Sequence, residues 1–393
     1  MIASAYTIII LFLLFYWGIL FWLGRGLTKC AHANQLSSRL PDWPRISVIV
    51  SARNEAHNLP RLLHCLQNQA YPAERIEFCI VDDRSSDTSW QILADIQRQN
   101  SQFKIFRIDN TLDDYAPKKR ALDHAIRAAS GELLLLTDAD CTPPPGWARS
   151  MAQHYQHGVV LVPGYSPYRF DTPMPRLLRG MLALDFFGLA AVAAASIGQG
   201  YPTTAAGCNL SYRHDTYFRA GGFEPIRQWV SGDDDLFLLN VAKQKLGRIG
   251  YALSPDSFVP CAAPSSWRQF WHQRIRYASK GLHYASPLTF GLSAVYLLNL
   301  SLALALPAGM FGFSAYGMFA VMVWIGKVLG EYLFLRKAAL LFSEHRLLKY
   351  FLPTALIHPF YITLFAFLGS FSQFRWKDEK APKKQQTETA AHA

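Results

Sequence analysis

Leu133-Leu134-Leu135-Leu136-Thr137-Asp138-Ala139-Asp140 is the stretch that decides the fold. A short apolar run brings two carboxylates, one residue apart, to the end of a buried strand. Carboxylates in that place are badly solvated unless a cation meets them, and hard cations such as Mg²⁺ prefer oxygen ligands. A second acidic pair, Asp82-Asp83, follows the apolar run Ile80-Val81, and a third cluster, Asp233-Asp234-Asp235, lies further on.

Working outward, strands and helices alternate. Ile46 to Val50 is β-branched and is ended by Ser51-Ala52-Arg53-Asn54-Glu55. Leu59, Leu62, Leu63 and Leu66 then recur at helical spacing. Ile76 to Val81 reads as a second strand, and Ser86 or Asp87 caps a helix carrying Trp90, Ile92, Leu93 and Ile96. Phe103 to Ile108 is a third strand, Pro117 to Ala129 a third helix, and Glu132 to Thr137 a fourth strand. This order predicts an α/β domain with an open parallel sheet and helices on both faces. Such sheets bind ligands beyond the carboxyl ends of their strands, where Asn54-Glu55, Asp82-Asp83 and Asp138-Ala139-Asp140 all fall.

Each motif also has a plainer reading. Asp82 to Asp87 alone makes a turn and a helix cap; the functional reading gives one carboxylate to a nucleotide base or ribose. Asp138 and Asp140 diverge in an extended segment, so one serves a ribose or a metal through water and the other the metal directly. The plainer alternative is an exposed acidic turn before Pro143-Pro144-Pro145. Ser231 as N-cap with Asp234 at the third helical position makes a capping box, and a helix N-terminus keeps a carboxylate ionised and available as a base. From Trp267 to Tyr277 the pattern is an amphipathic helix: Trp267, Phe270, Trp271, Ile275 and Ala278 share one face, and Arg268, His272, Arg276 and Lys280 take the rest. It reads as a helix lying on lipid, with Gln273, Arg276 and Tyr277 able to neutralise a departing diphosphate. No Ser/His/Asp order, GK[ST] loop or HExxH spacing occurs, and His124 and His214 read as structural or solvated.

The chain has 393 residues and a formal net charge of +11, much of it beside hydrophobic segments, which favours an anionic lipid surface over nucleic acid. The six scattered cysteines lack CxxC pairing and read as reduced thiols. Ile2 to Leu23 is apolar, uncharged and long enough to span a bilayer. Arg25, Lys29, Arg39 and Arg45 follow it, so the positive-inside rule puts the next domain in the cytoplasm. Three more spans are expected near Pro287 to Met310, Phe311 to Leu335 and Phe351 to Phe371. The second carries Lys327 and Glu331 at i,i+4, and the third Pro353, His358 and Pro359. Simple counting puts the tail outside, against the preference of Arg375, Lys377, Lys380, Lys383 and Lys384, which leaves three or four spans. Leu177 to Ile197, with Asp185 inside it, reads as a core or interfacial helix. The expected division is 1–24 anchor, 25–262 catalytic domain, 263–286 interfacial helix, 287–372 carboxyl-side spans and 373–393 disordered tail.

Together these residues resemble the membrane-bound, inverting glycosyltransferases of family 2, which include cellulose, chitin and hyaluronan synthases and ceramide glucosyltransferase. The match covers roughly Arg45 to Lys280. It implies the GT-A fold, a Rossmann-like, mostly parallel open sheet with transmembrane helices at both ends. By this resemblance Ala52, Arg53 and Glu55 hold the uracil ring, Asp83 the base or ribose, and Lys118, within Lys118 to Asp123, the nucleotide. Asp138 and Asp140 match the DxD motif that holds Mg²⁺ or Mn²⁺. Asp234, in Gly232-Asp233-Asp234, matches the catalytic base. Gln273, Arg276 and Tyr277 match the (Q/R)xxRW motif, with Tyr277 in place of Trp, and Asp123 stands where Asn is common. The implied donor is a nucleotide sugar, a UDP-hexose first, and the implied acceptor a lipid or a growing glycan at the bacterial inner membrane. A processive β-polysaccharide synthase is the alternative. A two-metal nucleotidyltransferase or phosphoesterase is the more distant one.

Overall fold

A computed structural model describes residues 2–36, 42–110, 115–227, 229, 231–278, 286–311, 315–371, 375–376 and 379–380. In chain order the main elements are α1 (Ile2–Leu36), β1 (Ile46–Ala52), α2 (Leu59–Gln67), β2 (Ile76–Asp83), α3 (Ser89–Gln99), β3 (Phe103–Ile108), α4 (Pro117–Ala128) and β4 (Leu133–Leu136). There follow α5 (Trp147–Ala152), β5 (Val159–Pro163), β6 (Tyr168–Arg169), α6 (Arg176–Gly198), β7 (Leu210–Arg213), α7 (His214–Arg219), α8 (Asp235–Lys243), β8 (Arg248–Ile249) and β9 (Cys261–Ala262). The chain continues as α9 (Trp267–Ala278), α10 (Ser286–Phe311), α11 (Ala315–Leu341) and α12 (Phe351–Phe371), with the short pair β10 (Arg375–Trp376) and β11 (Glu379–Lys380). Most of the expected tail lies outside the described residues.

The four expected strands form as read. They sit in a seven-stranded sheet of order β3-β2-β1-β4-β7-β5-β8. Neighbours β3-β2, β2-β1, β1-β4 and β5-β8 are parallel, and β7 alone runs against both its neighbours. Side chains alternate across the sheet. Ile46, Val48 and Val50 of β1 pack with Leu59, Leu62, Leu63 and Leu66 of α2 and with Trp147 of α5. Ile49, Val81, Leu134 and Leu136 point the other way, onto Leu122, Ala125 and Ile126 of α4 and onto Phe237 and Leu238 of α8. Pro60 and Pro117 stand in the first turns of α2 and α4, where the missing N–H costs nothing and the fixed φ suits a helix.

A third core joins this domain to the apolar helices. Leu23 and Leu27 of α1, Phe187 and Ala191 of α6, and Ala338 and Phe342 around the end of α11 close over Tyr165, Tyr251 and Leu253. Thus α1 continues past the expected anchor to Leu36. Its second half, though it carries Arg25, Lys29 and Asn34, is held by burial against α6. The two helices approach so closely that a Cβ on Gly26 would fall 1.9 Å from the Ala195 carbonyl oxygen. Four described helices are long and apolar enough to cross a membrane: Thr7–Gln35, Arg176–Gly198, Gly317–Leu341 and His345–Gly369. The second is α6, where Asp185 pairs with Arg274 of α9 at 2.9 Å. The expected Lys327–Glu331 pair forms at 2.7 Å.

Candidate active site

Three loops after parallel strands share one edge of the sheet. Ala52 at the end of β1 pairs in register with Asp82 of β2, and the Thr137 N–H after β4 donates to Ile49 O of β1. The first two loops are stitched together. Asn54 N donates to Ser85 Oγ at 2.9 Å, Ser86 N to Asn54 Oδ1 at 2.8 Å, and Glu55 N to Ser89 Oγ at 2.9 Å. Asn54 reaches this arrangement at φ 53°, a left-handed conformation that Asn tolerates. Arg53 and Glu55 therefore leave β1 beside the Asp82-Asp83 end of β2.

Asp83 is buried and accepts from Arg84 Nε at 2.9 Å, with Arg120 of α4 at 3.5 Å. Asp82 is more deeply buried, neither of its carboxylate oxygens has a hydrogen-bond partner among the described residues, and burial pushes its carboxyl up. Of the pair, Asp83 is thus the one already matched to cationic N–H donors.

The centre of the cleft is Lys118, in the first turn of α4. Its Nζ lies 2.9 Å from Asp138 Oδ1 and 2.9 Å from Asp233 Oδ2. Burial works against the Lys118 charge, but Asp138 and Asp233 outweigh it and hold the ammonium well above its ordinary value. Burial raises Asp138, with Lys118 opposing. Asp140 is pushed up to about 7, by burial first and then by the neighbouring Asp138 carboxylate. Asp234 stands next to Asp233. Its Oδ2 accepts from Gly207 N at 3.1 Å and its Oδ1 from Asp235 N at 2.7 Å. Two backbone donors fix the orientation of the carboxylate.

The expected capping box is not what forms. Helix α8 begins at Asp235 with Asp234 itself as N-cap, and Ser231 stands outside. The reason is Gly232 at φ 97°, a left-handed turn that no helix continues through. That turn presents Asp233 to Lys118.

Behind Asp140 a second set of contacts leads to α9. Arg169 Nη2 donates to the Asp140 carbonyl at 3.0 Å. The adjacent Tyr168 hydroxyl donates to Gln273 Oε1 at 3.1 Å and stacks on Phe186 with centroids 4.1 Å apart. Tyr277 lies under two guanidinium groups, with Arg276 5.3 Å and Arg274 5.8 Å from its ring centroid. The structure therefore ties Gln273 to the DxD loop through β6. It buries Arg274, which pairs with Asp185, and it docks Phe270 and Trp271 on Phe365 of α12 while Trp267 stays exposed. Part of the face read as lipid-facing thus packs on protein.

Asp233, Arg120 and Arg169 are absent from the sequence reading of the site. The signal for Asp233 is the run of three consecutive acidic residues, in which the motif singles out only the middle one. Arg120 lay within the basic stretch after Pro117. Asp123, in the same stretch, is structural: it accepts from the Tyr217 hydroxyl at 2.6 Å. All six cysteines are free thiols, as expected.

Among the described residues no group of three or more His, Cys, Asp or Glu side chains could hold a metal ion. Asp140 and Asp138 nevertheless fit a hard cation that takes its other ligands from phosphate oxygens and water. The only hydrogen bond to the Asp140 carboxylate among the described residues is the weak Cys141 S–H at 3.6 Å. An elevated carboxyl beside a second carboxylate is an arrangement that a divalent ion relieves.

A mostly parallel open sheet with an acidic pair ending β2, an acidic loop after β4 and an acidic N-cap on α8 defines an α/β domain of the GT-A type. Residues 47–212 match the family model for glycosyl transferase family 2, and the chain carries a domain of that family. It is 23% identical over 269 residues to "Probable glycosyltransferase YdaM" of Bacillus subtilis, covering 63% of this chain and 59% of that protein. It is 25% identical over 282 residues to "Beta-monoglucosyldiacylglycerol synthase" of Trichormus variabilis, covering 67% of this chain and 57% of that protein. The chain thus spans somewhat under three-fifths of the length of these relatives. Among solved structures it resembles mannosyltransferase PcManGT from Pyrobaculum calidifontis in complex with GDP-Man and Mn²⁺. The TM-score is 0.47 at 19% identity, over 90% of this chain and 98% of that one.

Proposed function

We propose that this protein moves a hexose from a nucleotide sugar, a UDP-sugar in the first instance, to a hydroxyl of a lipid acceptor, with inversion at the anomeric carbon. The observation that carries the reading is Lys118 drawing Asp138 and Asp233 together beside Asp234, so that four motif residues from three parts of the chain share one cleft.

Asp234 is the base. It takes the proton from the acceptor hydroxyl as that oxygen attacks the anomeric carbon, while the bond to the diphosphate breaks on the opposite face. One displacement inverts the anomer, as in inverting glycosidases with the acceptor in place of water. The N–H donors of Gly207 and Asp235 hold the Asp234 carboxylate in place for that step. Ala52, Arg53, Glu55 and Asp83 line the base and ribose end. Lys118, Gln273, Arg276 and Tyr277 surround the diphosphate end. Asp138 and Asp140 would hold Mg²⁺ or Mn²⁺, which supplies charge stabilisation to the leaving diphosphate.

A lipid acceptor is supported by the packing of α9 on α12 and by the Trichormus relative, which is named as a synthase of monoglucosyldiacylglycerol. The basic residues after the apolar start of α1 support a cytoplasmic catalytic domain. The test is to incubate membranes with labelled nucleotide sugars and extract the products into organic solvent. One labelled lipid and free nucleoside diphosphate are expected. A ladder of long products indicates a processive synthase. Pyrophosphate or phosphate release indicates the nucleotidyltransferase or phosphoesterase chemistry and ends the proposal.

A further inference from the structure

We infer that the cavity between the end of α1 and the starts of β5 and β8 is a binding site for a phosphate group, presented at this place by an anionic phospholipid headgroup. The cavity has a volume of about 230 Å³ and is lined by Lys29, His154, His157 and Arg248, with Ile197 and Ile249 on its apolar side. It lies at the amino ends of β5 and β8, whereas the acidic cleft follows the carboxyl ends of β2 and β4. The two sites share no residue.

The chemistry of the lining selects an anion. None of its residues is acidic. Lys29 Nζ donates to the neutral amide of Gln199 at 2.8 Å, so its charge is uncompensated. Arg248 makes no ion pair among the described residues. His154 is only 8% exposed, and its ring makes no hydrogen bond among the described residues. A buried imidazole without a partner, facing a cavity, is a donor awaiting an acceptor. Burial pushes it down to about 4, so it meets a ligand in the neutral form. Two uncompensated cations and one N–H suit the oxygens of a phosphate.

Position names the source. Lys29 follows Leu23, the end of the apolar run, by six residues. That is roughly 9 Å along a helix, next to a headgroup layer about 5–7 Å deep on each side of a bilayer. The long lysine side chain spans the difference. The volume is below the roughly 300–1,000 Å³ of pockets that enclose a whole drug-sized ligand, so a headgroup enters and the acyl chains stay outside.

The experiment is native mass spectrometry of the full chain in detergent, offered phosphatidylglycerol, phosphatidylcholine or inorganic phosphate. The wild type is expected to retain one phosphatidylglycerol in preference to phosphatidylcholine. Arg248→Glu, a change at an exposed residue, is expected to lower that retention roughly tenfold, the loss of about one charge-assisted contact. Lys29→Ala is the second variant, should the first fold poorly. Displacement of the lipid by phosphate alone keeps the anion site and assigns its source to free phosphate. Equal retention of phosphatidylglycerol by wild type and Arg248→Glu overturns the inference, as does equal retention of both lipids without phosphate binding. Sugar transfer plays no part in the readout, so failure here leaves the proposed reaction untouched, and the reverse holds.

Discussion

The Lys118 ammonium is 2.9 Å from the Asp138 carboxylate, and the same nitrogen is 2.9 Å from Asp233. One cation thereby connects the loop after β4 to the turn before α8, two segments almost a hundred residues apart. Removing it leaves two carboxylates facing each other with no compensation. For Lys118→Met we expect turnover to fall by at least ~10², with destabilisation below the ~3–5 kcal/mol of a fully buried pair, because Asp138 is partly exposed. Added Mn²⁺ should recover part of the melting temperature and little of the turnover. Full activity in this variant would remove Lys118 from the site.

Asp234→Asn keeps the side chain's shape and the N-cap bond from Asp235 N, gives up the bond from Gly207 N because its amide nitrogen cannot accept, and removes the proton acceptor. Donor binding, measured by isothermal titration, should stay within about threefold, while turnover falls by at least ~10². The Asp233→Asn variant separates the neighbours. Asp233 contacts Lys118 rather than taking the proton, so its loss should weaken donor binding as well as turnover. If Asp233→Asn shows the pure turnover defect instead, the base has been placed one residue too late.

What could be read from the chain follows from burial. Strands covered on both faces must be continuously apolar, so Ile46 to Val50 and Leu133 to Leu136 announced themselves, and the carboxylates after them marked the cleft. The continuation of α1 beyond Leu23 was hidden, because Arg25, Lys29 and Asn34 read as the end of an anchor. The helix persists through a packing contact at Gly26 that no local pattern reports. The choice among Asp233, Asp234 and Asp235 was hidden for a related reason. Three identical residues carry no information about which way each points until the left-handed Gly232 fixes the turn. Nothing local in the sequence marks Arg274, because its partner, Asp185, lies in an apolar helix about ninety residues earlier.

Divalent ion should act through Asp140. Chelation with EDTA is expected to abolish transfer, and Mn²⁺ to raise the melting temperature of the wild type by a few degrees. In Asp140→Asn the elevated carboxyl is gone, so the protein without metal should be no less stable than wild type while the Mn²⁺-dependent rise disappears. An unchanged Mn²⁺ response in this variant would place the ion elsewhere.

His154 gives a pH dependence with a defined sign. Its folded value is about 4 against 6.5 ordinarily, because burial disfavours the charged ring. The stability from keeping it neutral is fully present above pH 6.5 and is lost as pH falls from there toward 4. It amounts to up to roughly 3 kcal/mol. Urea unfolding of wild type and His154→Gln between pH 4 and 7.5 should show curves that converge on the acid side and separate toward neutrality. Parallel curves would show that the imidazole is solvated.

Lys327 and Glu331 form a pair in α11 at 2.7 Å, with Lys327 fully buried. The Tyr16 hydroxyl of α1 donates to Glu331 at 2.7 Å, and His358 Nδ1 of α12 lies 3.3 Å from Lys327 Nζ. Three apolar helices therefore share one polar contact. A charge buried among such helices is costly unless its partner stays. Lys327→Met alone leaves Glu331 without its cation and should destabilise the detergent-solubilised protein by about 3–5 kcal/mol. Lys327→Met with Glu331→Gln removes both charges and should return most of that loss, because the neutral pair still fills the space and the amide still accepts from Tyr16. The coupling between the two changes, read from thermal melts of the four proteins, should be large and favourable to the double variant. If the single and double variants melt together, the pair contributes nothing to the helix assembly.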